Sequence, residues 1–136
     1  MINTLFMLLT TVFCTMLSIF SININGGYIN KVFMNIPLTL IKDSVISYEQ
    51  NEKIYSYFDK ENLELTVKDY LNNSLKKVLN GYKISFFYYI YDEEANNYYF
   101  DLSDKVKNVQ IHFRYRLINK FDIDKYLTFE VKDFGE

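Results

Sequence analysis

The first thirty residues of the chain carry no charge. All fifteen Lys and Arg, and all seventeen Asp and Glu, lie between Lys31 and Glu136. Within the uncharged stretch, Met1 to Ile24 is apolar and interrupted only by Asn, Thr and Ser. As a helix it would extend about 36 Å at ~1.5 Å per residue, enough to cross a hydrocarbon layer of ~30 Å. Ser and Thr cost little in such a helix because their hydroxyls return to the backbone of the preceding turn. The expectation is a membrane-inserted segment over residues 1–25. The residues that would face lipid are Leu5, Phe6, Leu8, Leu9, Val12, Phe13, Leu17, Ile19 and Phe20.

A cleaved secretory signal usually has a basic start and small residues before the cut. Met1 to Thr4 has no Lys or Arg, and the only Ala of the chain is Ala95. A lipoprotein cut before Cys14 would place bulky Phe13 where a small residue belongs. A retained single-pass anchor is therefore expected, with the lipid bilayer as the first partner. Cys14 falls inside it and is expected to behave as a small hydrophobe, with reversible acylation as the alternative.

The remaining 111 residues or so, at about the lower range of a domain, belong to a chain that is 49% hydrophobic and 24% charged, which excludes wholesale disorder. A net charge of −2 and a pI near 5.4 remove the electrostatic footprint of a nucleic-acid binder. One Cys excludes an intramolecular disulfide, and one His excludes a His-rich metal site.

Beyond Gly26 and Gly27, Ile29, Val32, Phe33, Ile36, Leu40 and Ile41 recur at helical spacing, with Pro37 expected to divide the helix or kink it. Residues 26–58 therefore read as an amphipathic or stalk segment. The small domain is expected over residues 59–136. Asp59 is a good N-cap, and Leu63, Val67, Tyr70, Leu71, Ser74, Leu75 and Val78 form one apolar stripe, ended by Asn80-Gly81. Glu64 and Lys68 make a favourable i, i+4 pair.

From Tyr82 the period changes to two. Ile84, Phe86, Tyr88 and Ile90 face one way, and Ser85, Phe87, Tyr89 and Tyr91 the other. A polar turn spans Asp92 to Asn97. Asn108 to Ile118 places Val109, Ile111, Phe113, Tyr115 and Leu117 opposite Gln110, His112, Arg114 and Arg116. Asp122 to Lys125 reads as a break before a last strand, Tyr126 to Val131. The predicted fold is α+β: an N-terminal transmembrane helix, then helices packed on a three-stranded antiparallel sheet.

This order of elements, and in particular the Asp59–Leu79 helix leading into the Tyr82–Tyr91 strand, resembles the small TadE-like and type IV pilin-like proteins of bacterial secretion and pilus loci. The chain departs from that family's processing signature: its apolar run contains no Glu, and Gly26 and Gly27 follow the run. The resemblance implies a non-enzymatic assembly component whose apolar helix packs against other membrane-anchored subunits. It also implies an extracytoplasmic domain. Lys31 and Lys42, which follow the span, give a two-charge bias the other way under the positive-inside rule.

No Gly-rich phosphate loop, nucleophile elbow, paired-Cys motif or His-Glu metal helix occurs. No catalytic residue, metal ligand or cofactor is assigned. His112 reads as a solvated strand residue, and Asp92, Glu93, Glu94, Asp101 and Asp104 lack the spacing of a calcium loop. Thirteen Tyr and twelve Phe are the least ordinary feature of the composition. Strands favour aromatics in any case, but Tyr also suits contact surfaces. The candidate interaction face is Phe87, Tyr89, Tyr91, Arg114 and Arg116. The second functional expectation is a membrane-tethered module that captures a ligand on that face.

Overall fold

The structure is a computed structural model and describes residues 1–117 and 121–134. Ile118, expected to end a strand, and Glu136, the expected domain end, lie outside the described residues. Helix α1 spans Ile2–Met34, 33 residues without interruption, and continues through Gly26 and Gly27. Pro37 precedes a short helix α2, Leu38–Lys42, and its fixed φ of −58° suits that position. The hairpin β1 (Val45–Gln50) and β2 (Lys53–Phe58) follows. Helix α3, Lys60–Leu75, is capped by Asp59, whose carboxylate accepts the Asn62 N–H at 3.3 Å. Strands β3 (Tyr82–Asp92), β4 (Asn97–Phe100), β5 (Asn108–Leu117) and β6 (Phe121–Glu130) complete the chain with a 3-10 turn over Val131–Phe134.

The fold is α+β, but the expected three-stranded sheet is corrected to six strands in two sheets: the β1-β2 hairpin, and a four-stranded antiparallel sheet ordered β4-β3-β5-β6. The additions have separate physical causes. Asp92 accepts the backbone N–H groups of Glu94 and Ala95, folding the polar turn tightly enough for β4 to pair back on β3. Asn51 and Glu52, both with positive φ, turn β1 into β2. Asp122 to Lys125 form no break: they lie within β6, where Asp122 and Asp124 stand directly opposite Arg116 and Arg114 of β5. Opposite charges across an antiparallel pair favour that register.

The core lies between one face of the four-stranded sheet and a helical cover. Leu63, Val67, Leu71 and Leu75 of α3, with Ile29 and Phe33 of α1, are fully buried against Val109, Ile111 and Phe113 of β5. Phe33 stacks on Phe113 with ring centroids 4.9 Å apart. Tyr28 donates its hydroxyl to the Ser74 carbonyl at 3.2 Å, and Tyr70 donates to the Val32 carbonyl at 3.4 Å. Two long-range bonds thus tie α3 to the last turns of α1. Glu64 and Lys68 pair at 3.5 Å on the flank of α3, and Tyr88 donates to Glu64 at 2.9 Å.

Candidate functional site

Two surfaces are left uncovered by this packing. The first is the N-terminal part of α1. Leu5, Phe6, Leu8, Leu9, Val12, Phe13, Leu17, Ile19 and Phe20 are all exposed, between 48% and 71%. They project around the helix rather than from one stripe, as expected of a segment with no protein neighbour. Four of its hydroxyl side chains are satisfied locally. Thr10, Thr11, Thr15 and Ser18 donate their hydroxyls to the carbonyls of Phe6, Met7, Thr11 and Cys14, each four residues back, at 2.7–2.8 Å. This helix is long and apolar enough to cross a membrane.

The second surface is the sheet face turned away from the helices. The alternation of β3 and β5 sends Phe87, Tyr89, Gln110 and His112 outward, and the β3-β4 pairing sets Phe100 opposite Tyr89 and Tyr98 opposite Tyr91. Phe87, Tyr89, Tyr98, Phe100, Gln110, His112 and Thr128 line an open groove of about 460 Å3. Its rings meet edge to face: Phe87 and His112 at 4.7 Å, Tyr89 and Tyr98 at 5.6 Å. His112 Nε2 lies 2.7 Å from Gln110 Oε1, and the Gln110 amide donates to Thr128 Oγ1 at 3.4 Å, so the groove floor carries a short polar chain. Burial pushes the Tyr89 hydroxyl up to about 12, helped by the negative charge of Glu130. Tyr89 therefore stays neutral at physiological pH and can donate a hydrogen bond.

Of the five residues expected on the interaction face, Phe87 and Tyr89 come together in the groove. Tyr91 lies at its end, 4.9 Å from the Tyr98 ring, and donates to Asn96 Oδ1. Arg114 and Arg116 point to the same side but are engaged elsewhere: Arg114 binds both oxygens of Asp124 at 2.7 and 3.2 Å, and Arg116 binds Asp122 at 2.8 Å. Each pair raises the guanidinium and lowers the carboxyl, the side-chain hydrogen bond being the largest cause. Tyr98, Phe100, Gln110, His112 and Thr128 were not on the expected face. His112 and Gln110 were legible as neighbours of Arg114 in the same alternation; Tyr98 and Phe100 needed the hairpin register.

Two of the acidic side chains of the β3-β4 region, Asp92 and Asp101, hold local turns. Asp92 caps its turn, and Asp101, 8% exposed, accepts the N–H and hydroxyl of Ser103 at 2.9 and 2.6 Å. Among the described residues, no group of three His, Cys, Asp or Glu side chains is placed to hold a metal ion. No Asp, Glu, Lys or Arg lines the groove, and Glu130 acts on Tyr89 from its edge. No family model matches the chain, and no curated protein or solved structure matches it either.

Proposed function

We propose that the protein is a membrane-anchored, non-enzymatic assembly component, pilin-like in organisation, with α1 as its anchor and its domain outside the cytoplasm. The observation that carries this reading is the division of α1: one unbroken helix whose first twenty residues are exposed and apolar, while Ile29 and Phe33 are fully buried in the domain. A cleavable leader has no reason to be continuous with a core helix. A rigid link of this kind instead transmits any association of the anchors to the domains they carry. Other membrane-anchored subunits are the proposed partners.

The experiment crosslinks the native chain in membranes through its thiol and, separately, replaces residues 1–24, Cys14 included, with an unrelated transmembrane helix and reads assembly of the swapped chain from the size of its complex in mild detergent. Cys14 is exposed on α1 and is the only thiol of the chain, which makes it a native reporter of helix association. The reading predicts a Cys14 crosslink to another subunit and loss of assembly on the swap. A harmless swap with no crosslink contradicts it.

A second reading is favoured by the aromatic groove itself, whose size lies within the ~300–1,000 Å3 range of small-molecule sites. It makes the protein a tethered module for a neutral ring-bearing ligand. Under it, the helix swap is harmless and Tyr89→Ala removes binding.

A further inference from the structure

We infer that the end of the domain from which α1 emerges is a docking surface for the headgroups of an anionic lipid leaflet. This rests on the reading of α1 as a membrane anchor. A hydrocarbon layer takes about 20 helical residues, so counted from Ile2 the helix leaves it near Ser21 or Ile22. The domain begins only a few residues higher: a Cβ built on Gly26 would stand 3.3 Å from Leu117 Cδ1. At ~1.5 Å per residue the separation is about 6–7 Å, the depth of one headgroup layer. The end of the domain formed by the α3-β3 connection and the Leu117 end of β5 therefore lies at phosphate level.

The chemistry at that level is cationic. Between α1 and the domain end is a notch of about 840 Å3, lined by Leu17, Ser18, Ser21, Asn25, Asn80 and Arg116 among others, so the domain end reaches down to the turn at which the helix leaves the hydrocarbon layer. Lys76 and Lys77 lead into the 78–81 connection, and Lys83 follows it. Lys76 and Lys77 are exposed, and neither pairs with a carboxylate among the described residues. Asp122, at the same end, is bound by Arg116. Asp92, Glu93 and Glu94 lie at the opposite end of β3, about 33 Å away at ~3.3 Å per residue. The end of α3 and the start of β3 thus bring the ammonium groups of Lys76, Lys77 and Lys83 to the membrane-facing end, while the Asp92–Glu94 turn carries its carboxylates at the other. Exposed Phe121, opposite Leu117 at the same end, adds an aromatic ring of the kind that settles at a bilayer interface.

The test reconstitutes the full chain into vesicles of phosphatidylcholine alone and of phosphatidylcholine with phosphatidylglycerol, verifies flotation, and reads amide exchange over residues 76–83. Docking predicts exchange slower by ~5-fold or more in the anionic vesicles, as an attraction of the expected size per basic residue requires. The slowing should vanish in the Lys76→Gln, Lys77→Gln double variant and shrink at high salt. Flotation with equal exchange in both vesicles overturns the docking surface and leaves the anchor intact. Failure to float with either vesicle overturns the anchor and the docking surface together.

Discussion

At the scale of single residues, the contact that joins the anchor to the domain is Phe33 on Phe113. Both rings are fully buried, and Tyr82 closes on Phe113 from the other side at 5.2 Å. Truncating Phe33 removes a large apolar surface and leaves a cavity between α1 and β5. Phe33→Ala should lower stability by about 3–5 kcal/mol, measured by denaturant unfolding of the full chain in detergent. The paired charges on the outer face act differently. Asp122 and Asp124 have carboxyls held below their ordinary value of 3.8 by Arg116 and Arg114. A carboxyl with a lower folded than unfolded pKa stabilises the fold above its unfolded value and loses that contribution as pH falls through the folded one. Unfolding temperature should therefore drop more steeply below about pH 4 in the native chain than in the Asp122→Asn, Asp124→Asn variant. Because both pairs are open to solvent, the difference should shrink with added salt.

At the scale of elements, α1 is governed by where it touches the sheet. Gly26 and Gly27 sit inside a helix, where glycine is costly, but only Gly26 faces a close neighbour. Gly27→Ala should stabilise by about 0.5–1 kcal/mol, whereas Gly26→Ala should gain less because the new methyl meets Leu117. The same unfolding titration compares them. The helices were legible because their buried residues follow one period: Leu63, Val67, Leu71 and Leu75 are the face the sequence marks, and Pro37 separates α1 from α2 as its chemistry requires. The β1-β2 hairpin was not legible. Its turn is Asn51-Glu52 rather than a glycine-bearing pair, and Ile46, Tyr48, Ile54 and Tyr55 spread apolar groups over both faces. Lys105 covers that hairpin from another part of the chain, 4.0 Å above the Tyr48 ring. β4 was missed because Asn-Tyr-Tyr-Phe has no polar alternation. In β6, aspartates that look like a turn in isolation are strand residues once Arg114 and Arg116 stand opposite. The candidate groove was half legible for the same reason: alternation within β3 marks Phe87 and Tyr89, but pairing between strands supplies the rest.

At the scale of the whole molecule, the chain joins an exposed apolar rod to an antiparallel sheet through a single continuous helix. The domain buries one sheet face beneath α1 and α3 and leaves the other, with its aromatic groove, uncovered. In the proposed reading the rod fixes the protein in the bilayer, and the continuity of α1 makes domain and anchor move as one body. The most direct measurement is protease shaving of intact cells carrying a C-terminal tag, read by blot for the tag and for apparent mass in the membrane fraction. The account predicts that the tag is lost from full-length, membrane-bound protein before lysis. A tag protected until the cells are broken, or a mass reduced by the length of the apolar run, would contradict it.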